Sequence, residues 1–157
     1  MISADDLIAL VRNYNPKTNE ALIHAAYDYG REMHEGQFRK SGEPYFTHPV
    51  EVASILAHAS GVHGAKQVIS ATEQGLRAAS YRQIGQRSAQ LALALRRLGV
   101  TGDDRVATFQ WNNQEHLEAY CAVPAMGAVL HTINIRLSAD QIRYVVNHAE
   151  DTVIIVD

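Results

Sequence analysis

The sequence contains a single cysteine, no long apolar run and no large excess of either charge. Because Cys121 has no partner for an internal disulfide, the sequence favours a reducing, cytoplasmic location. No stretch approaches the roughly 18 consecutive apolar residues of a membrane span, and the N-terminal letters MISADDLIAL have two acids where a secretory signal has cations. A net charge of −3 and a pI near 6.2 give no electrostatic basis for binding nucleic acid or a membrane surface. These absences predict a soluble cytoplasmic protein without a membrane span.

What is present is the composition of a globular protein. Of the 157 residues, 46% are hydrophobic and 20% are charged, which allows one ordinary domain or two smaller pieces and argues against disorder. Apolar residues in the first third recur at helical spacing, with breaks at a proline and at a polar loop. This pattern predicts three helices, over residues 7–11, over residues 20–36 and from residues 48–49 onward. Residues 18–20 are predicted to cap the second helix, and the polar loop 37–47 separates the second helix from the third.

The pattern changes in the second part of the chain. Residues 67–71 and 76–80 predict a hairpin, and Ser80 then begins a long helix that Gly99 ends. Its inward positions are predicted to be Ile84, Leu91, Leu95 and Leu98. Strands then alternate with helices, the strands over 105–110, 129–133 and 153–156, the helices over 113–126 and 140–147. We therefore predict an α/β fold, a helical N-terminal segment followed by a βαβαβ partial parallel sheet, with both modules incomplete.

The loop from Phe38 to Val50 concentrates polar chemistry in the first part. Arg39 and Lys40 suit a phosphate or a purine face, and His48 suits a divalent metal. Tyr45 adds an aromatic ring between them. Taken alone, these residues are better interpreted as an ordinary surface loop, and the eight histidines of the chain are mostly expected to be structural.

The loop resembles a known family once its neighbours are included. The letters FRKSGEPYFTHPV, preceded by AAY at residues 25–27 and HEGQ at residues 34–37, resemble the N-terminal HD hydrolase domain of RelA/SpoT-type (p)ppGpp synthetase/hydrolases. The resemblance covers residues 1–57. It implies that His48 is a Mn²⁺ ligand, that Arg39 and Lys40 flank a guanine ring, and that Tyr45 shapes the same pocket.

The sequence departs from that family where the metal site should be completed. The family also needs an adjacent His-Asp pair, because several ligands must hold a hydrolytic metal and aim its water, and this sequence contains no such dipeptide. The string HAEDT at residues 148–152 has Ala149 at the position of the metal-binding Asp and is interpreted as coincidence. We therefore expect no catalytic residues and no cofactor. Mn²⁺ at His48 and guanine nucleotide at Arg39, Lys40 and Tyr45 are retained as weak, vestigial possibilities.

The second part resembles a different family. The letters SYRQIG, LRRLGV, GDDRVA, AMGAVLHTIN and VNHAED, which begin at residues 80, 95, 102, 125 and 146, resemble the start of AMP-forming fatty-acyl-CoA synthetases, the acyl-adenylate-forming superfamily. The resemblance places the domain boundary near residue 57, with domains 1–57 and 58–157. It implies chemistry that joins a carboxylate to the α-phosphate of ATP and then to a thiol. The phosphate-binding loop and the catalytic lysine of that chemistry do not occur in these residues, so the ATP/Mg²⁺ site is predicted to be absent.

Other chemically suggestive residues have simpler interpretations. A solvated turn is favoured over a metal site for Asp103-Asp104, and the stretch 111–113 is interpreted as a turn with Asn113 as N-cap rather than as a pocket. His131 is predicted to be a hydrogen-bonded core histidine. Cys121 is predicted to face the core without an activating base, so that it is not a nucleophile.

Three functional hypotheses follow. The favoured one is a catalytically inactive fusion of two N-terminal enzyme fragments, with fatty-acyl-CoA ligase as the inherited resemblance of the longer part. The first alternative is a Mn²⁺-dependent (p)ppGpp pyrophosphohydrolase whose ligands are completed from elsewhere. The second alternative is a non-catalytic module that binds guanine nucleotide or associates with itself through an exposed apolar face of the sheet.

Overall fold

The computed structural model describes residues 2–12, 16–38 and 42–157. The first part is helical, as predicted, with α1 at Ala4–Arg12, α2 at Glu20–Met33 and α3 at Thr47–Val62. Asn19 caps α2, because its side chain accepts a hydrogen bond from the backbone N–H of Leu22 at 3.1 Å. The described helices are too short or too polar to cross a membrane.

The second part alternates strands and helices around a small parallel sheet. An antiparallel hairpin comes first, and three parallel strands follow in the spatial order β4-β3-β5. This arrangement confirms the predicted α/β class. The elements are β1 Gln67–Thr72, β2 Gly75–Ser80, α4 Tyr81–Arg97, β3 Arg105–Phe109, α5 Gln114–Ala125, β4 Val129–Thr132, α6 Ala139–Ala149 and β5 Val153–Val156.

Local sequence explains where these helices begin and end. Ser80 and Gln83 form a capping box at the start of α4, and Ser138 and Gln141 form the same box at the start of α6. At the end of α4 the N–H of Gly99 donates to the Arg96 carbonyl, at 3.0 Å. Gly99 has a φ of +91°, which completes the left-handed turn that closes a helix in this way.

The core lies where α4 and α5 cover the sheet. Leu95, Val100, Val106, Val123 and Ala128 form one buried cluster there. The predicted inward positions Ile84 and Leu95 are buried, and Leu91 packs against the cluster.

The prediction for Leu98 is wrong, because this side chain is 68% exposed. Leu98 follows the last residue of α4, and the chain turns at Gly99. After that turn Val100 fills the core position instead, with its N–H bonded to the Leu95 carbonyl at 3.1 Å. A hydrophobic contact between the residues at the positions of Leu95 and Val100 regularly accompanies such a helix end.

The two parts of the chain share a helix. Helix α3 continues without interruption through residue 57, where the sequence predicts the domain boundary. It packs against α1 on one side and against α4 and α5 on the other. The N-terminal segment is therefore continuous with the helical layer that covers the sheet.

Candidate functional site

Polar side chains gather at the carboxyl end of β3, the end at which parallel sheets usually bind ligands. The carboxylate of Asp157 accepts hydrogen bonds from the backbone N–H of Trp111 at 2.6 Å and from Nδ2 of Asn113 at 3.0 Å. Burial alone would raise the pKa of Asp157, but these hydrogen bonds outweigh it and hold the pKa below its ordinary value. The carboxylate thus joins β5 to the start of α5.

The turn interpretation of residues 111–113 agrees with this geometry. Asn113 is the N-cap of α5, with its side chain accepting from the N–H of His116 at 2.9 Å. Trp111 is 68% exposed. This edge is thus a surface turn whose polar groups are mostly bonded to one another.

Behind this turn lies a buried pair on β3 and α5. Oγ1 of Thr108 and Nε2 of His116 are 3.0 Å apart, and both residues are buried. The ring of His116 packs against Tyr120, with 5.0 Å between ring centroids. Nδ1 of His116 has no hydrogen-bond partner among the described residues. This nitrogen can therefore form one more hydrogen bond.

Asp103 and Asp104 lie in a hydrogen-bonded turn before β3. Asp104 accepts from the N–H of Thr101 at 2.6 Å and from its hydroxyl at 2.8 Å, which lowers the pKa of Asp104. Asp103 has a φ of +69° and accepts a hydrogen bond from Gln37. Within residues 2–12, 16–38 and 42–157, no three side chains of His, Cys, Asp or Glu are grouped to hold a metal ion.

His131 makes the predicted hydrogen bond. Its Nδ1 lies 2.8 and 3.0 Å from the two carboxylate oxygens of Asp151, whose side chain is completely buried. The ring of His131 is 28% exposed, so it lies at the border of the core. Asp151 belongs to the string at residues 148–152, and in that string His148 stacks on Tyr144. These residues connect β4 with the end of α6.

The structure describes two of the four residues predicted to bind nucleotide or metal. Arg39 and Lys40 lie outside the described residues. Tyr45 and His48 are partly buried at the start of α3, where the N–H of His48 donates to the Tyr45 carbonyl at 3.3 Å. The ring of Tyr45 lies 5.3 Å from that of His34. The roles predicted for the four residues stay predictions.

Sequence reasoning missed a polar connection between the two parts of the chain. Nδ1 of His34 lies 2.7 Å from Oε1 of Gln37, and Nε2 of Gln37 donates to Asp103 at 2.6 Å. An amide oxygen only accepts, so Nδ1 of His34 carries the hydrogen. His34 and Gln37 belong to the HEGQ string, but no local signal indicates a partner 66 residues away.

The parallel sheet, the helices that cover it and the hairpin before them define an α/β layer of known type. Residues 56–157 match the family described as AMP-binding enzyme. The match covers well over half of the chain, and the chain therefore belongs to the AMP-binding enzyme family. This finding confirms the resemblance to acyl-CoA synthetases.

Two relatives show how much of a family member is present. The chain is 45% identical over 107 residues to a medium-chain-fatty-acid–CoA ligase of Ectopseudomonas oleovorans, which covers 68% of this chain and 20% of the ligase. A solved fatty acyl-CoA synthetase of Mycobacterium tuberculosis superposes with a TM-score of 0.62 at 24% identity, over 67% of this chain and 21% of the synthetase, and shows the shared fold. The chain thus spans about a fifth of these proteins and corresponds to a partial, N-terminal piece of a fatty-acyl-CoA-ligase-like enzyme.

A further relative is similar to a much shorter stretch. The chain is 48% identical over 56 residues to the GTP pyrophosphokinase rsh of Brucella melitensis, over 36% of this chain and 8% of that protein. This similarity is consistent with a chimera. The assignment of residues 1–57 to an HD domain remains a proposal.

Proposed function

We propose that this chain is a fusion of two enzyme N-terminal fragments without catalytic activity of its own. Residues 58–157 supply the opening α/β layer of a fatty-acyl-CoA ligase, and residues 1–57 supply helices of an HD-hydrolase-like segment that cover it. The observation that favours this proposal most is that two acids of the α/β layer have structural roles. Asp151 is completely buried against His131, and Asp157 is bonded to a backbone N–H and an amide.

The structural roles of these acids bear on catalysis because acyl activation needs carboxylates for a metal ion. Transfer of a carboxylate to ATP needs backbone N–H groups that cradle phosphate and free carboxylates that hold Mg²⁺. At the carboxyl end of β3 the Asp157 carboxylate already accepts the N–H of Trp111. Asp104 likewise already accepts the N–H and hydroxyl of Thr101. Both carboxylates therefore hold turns in place.

The direct test is a pair of turnover assays on the purified chain. One follows AMP and pyrophosphate formation from ATP, Mg²⁺, CoA and decanoate, with a full-length medium-chain-fatty-acid–CoA ligase as positive control. The other follows pyrophosphate release from ppGpp with Mn²⁺. We expect neither rate to exceed that of a protein-free blank. AMP formation that follows the chain through purification would show that it activates acyl groups unaided and would overturn the proposal.

A second candidate is residual ligand binding at the start of α3. It is favoured by the proximity of Tyr45 and His48, which are one helical turn apart and joined by a backbone hydrogen bond. Calorimetric titration with Mn²⁺ and with ppGpp tests it. His48→Ala should abolish any Mn²⁺ heat, and His58→Ala, on the same helix, should leave it unchanged. Equal heats in both variants would remove His48 as the ligand.

Self-association is a further proposal for this chain. It is supported by three large apolar side chains that are exposed on α6 and β5, namely Tyr144 at 66%, Ile154 at 42% and Val156 at 61%. Sedimentation velocity over a hundredfold concentration range should show a dimer, and Val156→Ser should shift it toward monomer. A monomer at all concentrations would contradict this proposal.

A cytoplasmic location is proposed because the lone Cys121 has no partner for an internal disulfide, and cell fractionation tests it.

A further inference from the structure

The end of α3 brings two exposed histidine rings together. The ring centroids of His58 and His63 are 5.4 Å apart, and the ring planes are inclined at 78°. Both residues are exposed. Positions five apart are not neighbours on the face of a regular helix, and His63 is the C-cap residue that follows Val62, the last residue of α3. The sequence spacing alone therefore does not indicate this pair.

The ring nitrogens of this pair are available to a ligand. Neither ring makes a hydrogen bond or an ion pair with another residue in the described part of the chain. Other histidine rings are already engaged through a nitrogen, namely His24 with Asp5, His34 with Gln37, His116 with Thr108 and His131 with Asp151. A neutral imidazole is the commonest metal ligand among protein side chains. His58 and His63 can thus each offer a nitrogen to one ion.

The distance between the rings suits a shared metal ion. With Zn–N bonds of about 2.0–2.1 Å, two imidazoles at the tetrahedral angle on one Zn²⁺ have ring centroids about 5 Å apart. The observed separation of 5.4 Å is close to this value. Because both side chains are exposed, their χ angles can turn a nitrogen of each ring toward the ion. Water would complete the coordination, since no third His, Cys, Asp or Glu joins a metal-holding group within the described residues.

The backbone that carries His63 is held in a tight turn. A Cβ on Gly64 would lie 2.4 Å from the carbonyl oxygen of Ser60, so the chain can pass this close to α3 only with glycine there. The N–H of Lys66 donates to the His63 carbonyl at 2.8 Å, and the N–H of Arg82 donates to the Gly64 carbonyl at 3.2 Å. These contacts fix His63 relative to α3, so metal binding orders little additional backbone.

The end of a helix also favours a positive charge. The last carbonyls of an α-helix carry the equivalent of roughly half a negative charge, which attracts cations. The last turn of α3 contains no basic residue that would neutralise this charge. Lys66 and Arg82 lie in and beside the turn that follows, and their charges oppose a second cation. With two protein ligands and this opposing charge, the affinity is expected to be micromolar.

We propose that His58 and His63 bind one divalent transition-metal ion of the Zn²⁺ type. The ion joins the last turn of α3 to the turn that leads into β1, close to the predicted boundary at residue 57. Imidazole suits Zn²⁺, Ni²⁺ and Cu²⁺, and the affinity of such a site is lowest for Mn²⁺. The pair is therefore distinct from the Mn²⁺ ligand predicted at His48. Binding requires no nucleotide and no turnover, so a failure of this proposal leaves the proposed function untouched.

The test is calorimetric titration of the full chain with Zn²⁺ in a buffer that does not chelate metals. We expect one Zn²⁺ to bind per chain. His58→Ala and His63→Ala should each weaken Zn²⁺ binding at least tenfold, because even the loss of a group that only supports a metal ligand costs about 10–100-fold. The matched control is His148→Ala, which removes an exposed ring that stacks on Tyr144 and should bind Zn²⁺ like the parent chain.

Two further measurements identify the ligands directly. The electron paramagnetic resonance spectrum of one bound Cu²⁺ should show coupling to two imidazole nitrogens in the parent chain and to one in either single variant. Zn²⁺ at a hundredfold excess over its Kd should raise the Tm of the parent by about 5 °C, and should leave the Tm of the double variant unchanged. Both substitutions replace exposed side chains, and circular dichroism checks that the variants fold. No Zn²⁺ binding by the parent, full affinity in His58→Ala or His63→Ala, or an equal loss in His148→Ala would each overturn the proposal.

Discussion

A side chain on Gly127 would collide with His34. A Cβ built on Gly127 would lie 2.6 Å from Nε2 of His34, and His34 is itself buried at 7% exposure. His34 belongs to the N-terminal segment, and Gly127 ends α5 of the α/β layer. Together with the hydrogen bond from Gln37 to Asp103, this close contact joins the two parts of the chain at the turns that precede β3 and β4.

The first prediction compares two glycines that end helices in the same way. Gly99 has a φ of +91° and open space around it, whereas Gly127 has a φ of +88° and His34 beside it. Gly99→Ala should cost about 1–2 kcal/mol from the left-handed backbone alone. Gly127→Ala should cost about 1–2 kcal/mol more, because His34 must also move. Urea unfolding measures both, and equal losses would show that the His34 contact contributes nothing.

The second prediction concerns a helix end that lacks glycine. Glu150 has a φ of +56° after α6, and its N–H donates to the Asn147 carbonyl at 3.2 Å. Glu150→Gly should raise the free energy of unfolding by about 0.5–1 kcal/mol, since it relieves left-handed strain and loses only an exposed contact with Arg105. Glu150→Ala retains the strain and is the control. A thermal melt in which both variants shift alike would refute the backbone explanation.

The third prediction concerns the buried carboxylate of Glu118. This residue is 4% exposed, and Arg87 donates to it through Nε at 2.6 Å. The hydrogen bond and the charge of Glu118 raise the pKa of Arg87. Arg87→Ala should cost about 3 kcal/mol, because it leaves a carboxylate buried without its cation. The control is Arg143→Ala, an exposed pair with Asp140 that should cost under about 0.5 kcal/mol. A similar small loss in both would contradict the pairing.

The fourth prediction is a pH dependence at Asp104. The hydrogen bonds from Thr101 lower the pKa of Asp104 in the folded chain. The stabilisation is therefore present above the unfolded pKa of about 3.9 and is lost as the pH falls through the lower, folded pKa. Asp104→Asn should be less stable than the parent above about pH 4, and the difference should shrink in stronger acid. A difference that stays constant from neutral pH down to acid would exclude this linkage.

The fifth prediction concerns the reactivity of Cys121. Burial raises the pKa of this thiol, and the nearby Ser88 hydroxyl offsets the increase only in part. The native thiol should therefore react with a disulfide reagent at pH 8 more slowly than the same chain in urea, since only the thiolate attacks. Equal rates would mean that the thiol is freely accessible in the folded chain.

Much of the fold could be predicted because the signals are local. Hydrophobic periodicity, the cap at residues 18–20 and Gly99 as a helix end placed most helices and strands within a residue or two of their observed bounds, whereas the start of α1 and the end of α2 differ by three residues. The hydrogen bond of His131 was also predicted. The exposure of Leu98 was not predicted. The apolar periodicity of α4 includes Leu98, but the helix ends at Arg97 and Leu98 is its C-cap residue.

The sequence by itself determined the α/β class, the membership of its longer part in the acyl-CoA synthetase type, and the similarity of its first part to another family. It did so because caps, periodicity and motifs depend on neighbouring residues. Only the tertiary structure decided that α3 passes through the predicted boundary and that His34 packs on Gly127. Such contacts join residues far apart in the chain, and packing geometry rather than local pattern sets them.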